Sequence, residues 1–262
     1  MTELRRAYEH AGDAWAGGPS LLYDRLATRI VESAGGQLRG CLVLDAGAGT
    51  GAVCRALRRV GAEAIALDAS ADMLAHVGHA AVVSVVGDVC AQPFAGASFD
   101  AIVSAFTISH LECPGVALRE MRRVVKAGRL VIAAVFGAAP SNASKDVVDQ
   151  VAAEYGYVAP TWYETLKTRT EPLTNTPEML RACAEAAGLV RIGVEDITVD
   201  SGLDSPAARV EYRLGMAQFS AFVGSLVAAK REALVRDATA EVARRGQAIR
   251  PRVLILSSRA SE

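Results

Sequence analysis

The stretch that decides the fold is VLDAGAGTG, Val43 to Gly51. It starts with residues that favour β-strands, reaches Asp45, and continues almost entirely in glycine and alanine. Glycine allows a ligand to approach the backbone closely and permits positive φ angles. A strand that turns in this way into a helix directs backbone N–H groups and the helix N-terminus at a bound molecule. The stretch therefore predicts a ligand site at the end of a strand.

The spacing of the glycines and the preceding acid indicate the kind of ligand. Gly47, Gly49 and Gly51 form G-x-G-x-G, whereas the dinucleotide fingerprint is G-x-G-x-x-G and places a pyrophosphate on the helix dipole. The carboxylate of Asp45 would repel a pyrophosphate but suits an ammonium group. This pattern disfavours a nicotinamide-dependent oxidoreductase and predicts a ligand that is cationic at this end.

Two further acids follow apolar runs along the chain. Asp68 closes AIALD about seventeen residues beyond the glycines, where an acid can accept both hydroxyls of a ribose. Asp88 closes VVGD, where a carboxylate can accept a hydrogen bond from an exocyclic amine such as that of adenine. Together with Asp45 they predict one crevice at the carboxyl ends of successive strands.

Continuous Val/Ile/Leu runs recur with helical segments between them, as in parallel strands covered on both faces. About seven strands are predicted, in a sheet wound with helices. The runs begin at Cys41, Ala64, Val82, Phe99, Arg129, Val190 and Arg252.

Helices are predicted between these runs. GAVCRALRRVG and EMRRVVKAG are amphipathic, and each ends in a glycine suited to a helix stop. GPSLLYDRLATRIVESAGG has a proline near its start and glycines after its end, which also predicts a helix.

Two segments are longer than the connections that a sheet of alternating strands and helices needs, and they are treated as insertions. Residues 137–176 carry Tyr155, Tyr157, Trp162 and Tyr163. Residues 205–246 place Met216, Phe219, Val223 and Leu226 on one helical face. Both are predicted to emerge near one region of the sheet, as cap segments that cover a ligand; the alternative is extra helices that pack as core.

Composition limits the class of protein. The chain has 262 residues, 51% of them hydrophobic, and a formal net charge of -1, so we expect a single domain with no attraction to nucleic acid or to an anionic membrane. Five dispersed cysteines without a CxxC motif fit reduced thiols and predict no metal site. No signal-like or membrane-spanning stretch is apparent, which predicts a cytoplasmic protein.

The ordered motifs VLDAGAGTG, ALDAS, GD, FDAIVSAFTISHL and ALREMRRVVKAGRLVIA resemble those of class I S-adenosylmethionine-dependent methyltransferases. The small-molecule branch, typified by ubiquinone and menaquinone biosynthesis enzymes, is the most similar. The resemblance covers residues 40–136 and extends weakly to AYEHAGDAW…GPSLLYDRLA. It implies an α/β, Rossmann-like, doubly wound seven-stranded sheet that is mostly parallel, with the last strand antiparallel, and residues 1–36 closing over the cofactor.

The resemblance also implies residue roles for S-adenosylmethionine, which would leave as S-adenosylhomocysteine. The glycine loop and its acid would hold the methionine portion, the next acid the ribose, and the third acid the adenine, with Met73 on the adenine face. Residues 104–106 would lie beside the sulfonium, and Trp15 would close over the site. The predicted cofactor residues are Trp15, Asp45, Gly47, Ala48, Gly49, Gly51, Asp68, Ala69, Met73, Gly87, Asp88, Val89, Ser104, Ala105 and Phe106.

His110, in TISHL, is the candidate catalytic base, because histidine can take a proton near neutral pH. Its alternative role is a structural cap or a polar filler. Glu112, Tyr163 and Tyr212 are weaker candidates for the base. One departure from the family pattern is local: the family usually has Lys-Pro-Gly-Gly before the fifth strand, where this chain has residues 126–129, KAGR.

The predicted function is transfer of a methyl group to O, N or C of a small, fairly apolar metabolite, in a monomer or a homodimer. Tailoring of a bacterial natural product is one such role. Two alternatives stay open: a peptide or protein methyltransferase, and a protein that binds the cofactor but uses its sulfonium for other chemistry.

Overall fold

The computed structural model describes residues 2–261 and contains seven strands within that range. The strands are β1 Leu42–Ala46, β2 Glu63–Asp68, β3 Val83–Val86, β4 Phe99–Ala105, β5 Val125–Phe136, β6 Leu189–Thr198 and β7 Arg252–Ala260. The helices are α1 Thr2–Tyr8, α2 Gly12–Gly17, α3 Ser20–Glu32, α4 Ala52–Arg59, α5 Ala71–Leu74, α6 Pro114–Val124, α7 Ala143–Glu154, α8 Thr161–Thr165, α9 Pro177–Ala186, α10 Pro206–Leu214, α11 Ala217–Ser225 and α12 Ala228–Arg245.

The strands form one sheet in the order β3-β2-β1-β4-β5-β7-β6. The pairs from β3 to β5 are parallel, and β7 runs antiparallel to both β5 and β6. This confirms the seven predicted strands and the antiparallel last strand. Separate apolar clusters cover the two faces, as the unbroken apolar runs require. In such a sheet the central strands are buried on both sides, and Ile102 and Val131 have no exposed surface.

The strand order reverses beside β1, which has β2 on one side and β4 on the other. The carboxyl ends of these strands diverge there into connections on opposite faces, and this crevice is the usual ligand position in open α/β sheets. The glycine loop leaves β1 at this point. Topology therefore places the loop where the sequence predicts a ligand.

The helix predicted from EMRRVVKAG ends earlier than expected. α6 stops at Val124, and β5 begins at Val125. Gly128, expected to stop the helix, instead lies in an exposed irregular part of β5 with φ of 71°. Phe99 pairs with Val125 but Ala101 pairs with Leu130, so residues 126–129 are looped out of register. The helix stop prediction was wrong because the residues just before the glycine already belong to β5, where Val125 pairs with β4.

The two insertions fold into helices that pack on each other. α7 lies against α10 and α12, and together with α11 they enclose an apolar cluster of their own, here called the cap core. Phe219 is fully buried in it and stacks on Tyr157 with 4.2 Å between ring centroids. The predicted apolar face of residues 205–246 thus packs largely into the cap core. Among residues 2–261, no helix is both long and apolar enough to cross a membrane.

We expect Phe219→Ala to lower the free energy of unfolding by roughly 3–5 kcal/mol, because the change removes a fully buried ring and leaves a cavity. The matched control is Val227→Ala, at a side chain with 66% exposure, for which we expect a change within about 0.5 kcal/mol. Urea denaturation monitored by circular dichroism measures both. Equal effects of the two substitutions would show that the cap core contributes little to stability.

Candidate active site

A cavity of about 360 Å³ lies at the carboxyl ends of the central strands, against the glycine loop. It is lined by residues of α1, α2 and α3, of the loops after β1, β2 and β3, and of the end of β4. Most of the predicted site residues line it: Trp15, Asp45, Gly47, Ala48, Gly49, Asp68, Ala69, Met73, Asp88, Val89, Ala105, Phe106 and His110.

The glycine loop is fixed by hydrogen bonds to the end of β2. The backbone N–H groups of Gly47 and Ala48 both donate to the carbonyl of Leu67, at 2.7 and 2.9 Å. Gly47 has a φ of 84° and its α-carbon faces Thr107, so a Cβ there would collide with that side chain. Glycine at this position is therefore required both by the backbone angle and by the close approach of the segment after β4.

Asp45 lies in the cavity wall and keeps one buried oxygen without a hydrogen-bond partner among the described residues. Its side chain is 1% exposed, and its Oδ2 accepts hydrogen bonds from the backbone N–H and the Sγ of Cys54, both at 3.1 Å. Its Oδ1 has no hydrogen-bond partner among residues 2–261. Burial raises the pKa of Asp45 to about 7, against the opposing effect of the Cys54 hydrogen bonds. Such a carboxylate oxygen suits a ligand that brings a hydrogen-bond donor or an ammonium group.

The next acid is held by the backbone around it. Asp68 Oδ2 accepts from the N–H of Gly49 at 2.8 Å, and Oδ1 accepts from the N–H of Ser70 at 2.9 Å. Burial raises the pKa of Asp68, while these backbone hydrogen bonds oppose the rise. A carboxylate oxygen accepts more than one hydrogen bond, so Asp68 can still receive ligand hydroxyls. Asp88 is oriented similarly, by a 2.7 Å hydrogen bond from the N–H of Cys90.

Aromatic side chains from the N-terminal helices form one wall of the cavity. Trp15 lies between Tyr8 and Tyr23, with ring centroids 5.7 and 4.9 Å away, and Tyr23 meets the edge of Phe106 at 5.4 Å. The hydroxyl of Ser70 donates to the carbonyl of Tyr8 at 2.9 Å and anchors this segment to the loop after β2. Sequence reasoning named Trp15 but missed both tyrosines, although all three lie in the N-terminal segment that carried the resemblance.

Three predicted site residues do not line the cavity. Ser104 turns its hydroxyl to the carbonyl of Ala46, at 2.7 Å, and is buried in the sheet. Gly51 begins α4 with its α-carbon against Val77, and Gly87 packs near Leu67. These residues support the loops that carry the lining residues. Their predicted contact with a ligand stays a prediction.

His110 separates this cavity from a second one. It lies in a 3-10 turn, Ile108–His110, and its ring stacks on Tyr8 with 6.0 Å between centroids. The second cavity, about 250 Å³, is lined by His110, Glu112 and Trp162 among others. Burial, and then the charge of Lys167, lower the pKa of His110 to about 4. His110 is therefore neutral at physiological pH and able to accept a hydrogen bond.

Of the weaker candidates for the base, Glu112 lines the second cavity, whereas Tyr163 and Tyr212 line neither cavity. Tyr163 accepts a 3.4 Å hydrogen bond from Arg213. Tyr212 is buried, and burial raises its pKa to about 12. His110 is thus the candidate that borders both cavities.

Comparison with known proteins agrees with this geometry. Residues 44–133 match the family model described as a methyltransferase domain. Demethylmenaquinone methyltransferase from Mycolicibacterium paratuberculosis is 38% identical over 124 residues, which cover 47% of this chain and 54% of the relative. The chain spans about half the length of the curated relatives it matches.

Solved structures show the same fold at low sequence identity. A putative methyltransferase from an antibiotic biosynthesis pathway of Anabaena variabilis has a TM-score of 0.59 at 21% identity, covering 87% of this chain and 96% of that chain. Phosphoethanolamine N-methyltransferase 2 from Haemonchus contortus, solved with S-adenosyl-L-methionine, has a TM-score of 0.56 at 19% identity, covering 90% of this chain and 52% of that chain.

The chain thus has the Rossmann-like fold of these methyltransferases, and its residues 44–133 are similar to a methyltransferase domain. Its similarity to demethylmenaquinone methyltransferases agrees with the resemblance that the sequence motifs indicate.

We expect the stability of the protein without ligand to fall as Asp45 ionises. Its raised pKa means that the folded state keeps the proton up to about pH 7, whereas the unfolded chain loses it near pH 4. The stabilisation is present below pH 4 and is lost as pH rises through 7, by roughly 2–4 kcal/mol relative to Asp45→Asn. Urea titrations of both proteins from pH 4 to 8 measure this difference, and parallel curves would contradict it.

Proposed function

We propose that the protein transfers the methyl group of S-adenosylmethionine to a small-molecule acceptor. The observation that carries the proposal is the unpartnered oxygen of Asp45 beside a glycine loop at the point where the strand order reverses. The methyltransferase domain match and the relatives named above support the same activity. S-adenosylmethionine suits the cavity because its ammonium group would satisfy the buried carboxylate.

Different residues along the cavity are proposed to bind the different parts of this cofactor. Asp45 and the loop around Gly47 would hold the methionine portion, and Asp68 would accept hydrogen bonds from the ribose hydroxyls. Asp88 and the backbone of Val89 would receive the adenine. When bound, the cofactor supplies a methyl group on a positively charged sulfur that is already an activated leaving group. The protein then has mainly to orient the acceptor and exclude water.

The acceptor side of the site is proposed to lie at His110, where the two cavities meet. Tyr8 and Trp15 cover the cofactor cavity and exclude water from it. Because His110 is neutral, its free ring nitrogen can accept a hydrogen bond from a hydroxyl or an amine of the acceptor and align its lone pair. With a pKa of about 4, His110 is a weak base, so orientation is a larger part of its proposed role than full proton removal.

The size of the site supports a small acceptor. The second cavity is about 250 Å³, and the cap segments 137–176 and 205–246 are proposed to close the acceptor side. Trp162 and Leu166 give part of its wall an apolar character, in keeping with a fairly apolar metabolite. A peptide acceptor, or use of the sulfonium for other chemistry, is not favoured by the relatives. We further propose a cytoplasmic monomer or homodimer that does not act on nucleic acid.

Calorimetric titration with S-adenosylmethionine and S-adenosylhomocysteine tests the cofactor. We expect both to bind the wild-type protein and Asp68→Ala to weaken both by about tenfold or more, because charge-assisted hydrogen bonds to the ribose are lost. The control is Asp100→Ala, near the amino end of the central strand β4 and outside the cavity lining, where Asp100 pairs with Lys126 at 2.8 Å. No binding by a folded wild-type protein would refute the proposal.

We expect the His110 ring to stay neutral down to about pH 5, because its pKa is lowered to about 4 by burial. The measurement is the pH dependence of its Cε1–H signal in proton–carbon NMR, assigned by its absence in His110→Gln. A midpoint between pH 6 and 7 would show that the ring is solvated and a stronger base than the structure indicates.

A further inference from the structure

Three basic side chains of the cap segments lie near one another, and two of them are paired; these two, Lys167 and Arg213, both face the ring of Tyr163, at 5.7 and 5.8 Å from its centroid. Arg213 donates to both oxygens of Asp149, at 2.7 and 2.6 Å. Lys167 donates to both oxygens of Glu171, at 2.7 and 2.9 Å. Lys145, near the start of α7, forms neither a hydrogen bond through its ammonium nor an ion pair with any residue in the range 2–261. Its positive charge is left unbalanced in this group.

Lys145 is partly withdrawn from water. Its Nζ lies 5.9 Å from the ring centroid of Tyr212, which is 2% exposed. Burial, and then the neighbouring charges of Arg213 and Lys167, lower the pKa of Lys145 to about 8. An ammonium that is desolvated without a carboxylate partner costs free energy, and such groups are concentrated at functional sites.

The same place borders the proposed cofactor cavity. Tyr23 lines that cavity, and Tyr212 belongs to the apolar cluster against which Tyr23 packs. Neither hydroxyl donates a hydrogen bond to any side chain or backbone group that the structure describes. Lys145, Tyr212 and Tyr23 therefore present three polar groups without hydrogen-bond partners among the described residues, in a region that adjoins the cofactor cavity at Tyr23.

We propose that Lys145 and Tyr212 form a subsite for a carboxylate of the methyl acceptor, which makes the acceptor a small organic acid. The ammonium would donate charge-assisted hydrogen bonds to one carboxylate, and the Tyr212 hydroxyl would donate another. Because the two neighbouring cations are already neutralised by Asp149 and Glu171, a single negative charge completes the balance. This inference rests on the proposed methyl transfer and specifies its substrate class.

The test uses the full chain saturated with S-adenosylhomocysteine and a panel of acids, acetate, hexanoate, benzoate and phenylacetate, each paired with its uncharged methyl ester. Calorimetry measures the affinity of every pair. We expect carboxylates to bind the wild-type protein, and Lys145→Met to weaken them by about tenfold or more through loss of charge-assisted hydrogen bonds. Lys145→Arg should retain most of the affinity. Lys230→Met, at an exposed lysine of α12, is the matched control and should have no effect.

A second readout is independent of affinity. Acetic anhydride at pH 8 should label Lys145, because its lowered pKa leaves half of it uncharged, and a bound carboxylate should protect it, as mass spectrometry of the digested protein reports. Far-UV circular dichroism and the thermal unfolding midpoint serve as the fold control in every variant.

The outcomes separate this inference from the function on which it rests. Carboxylates that bind no better than their esters, or equally well to Lys145→Met, would refute the carboxylate subsite. A loss of S-adenosylhomocysteine affinity in Lys145→Met would refute it as well, since the lysine would then contact the cofactor. Failure of S-adenosylhomocysteine to bind the wild-type protein would instead overturn the proposed function, and the subsite with it.

Discussion

The attachment of the glycine loop to the end of β2 is the constraint on which the site depends. Two consecutive N–H groups, of Gly47 and Ala48, share the carbonyl of Leu67, and Asp68 takes the N–H of Gly49. The residue that is expected to meet the ribose thus also fixes the loop that is expected to hold the methionine portion. These hydrogen bonds set the distance between the residues proposed to hold the methionine portion and the residue proposed to hold the ribose.

Much of this arrangement could be predicted because it follows from local patterns. Unbroken apolar runs require strands covered on both faces, and acids at their ends require a common edge once the strands are parallel. Asp45, Asp68 and Asp88 therefore came together as expected. The prediction failed where pairing between distant segments decides the structure. Gly128 has the sequence pattern of a helix stop, but the residues on either side of it pair with β4 as part of β5.

The contacts of the cap segments could not be predicted for a related reason. An amphipathic face shows that a helix buries one side, but not which element covers it. The apolar face around Phe219 packs largely against other cap helices instead of a ligand. The aromatic wall of the cofactor cavity comes mainly from Tyr8 and Tyr23, whose roles depend on how the N-terminal segment docks on the loop after β2. Sequence periodicity contains no information about that docking.

Three titratable groups near the proposed reaction centre are held away from their usual pKa by the same physical cause. Burial favours the neutral form of Asp45, His110 and Lys145 alike, although the first is an acid and the others are bases. A ligand can reverse this effect only where it brings the opposite charge. The proposed cofactor would bring an ammonium to Asp45, and the proposed acceptor would bring a carboxylate to Lys145. No such charge is proposed for His110, and its ring therefore stays neutral at the point where the methyl group is proposed to pass.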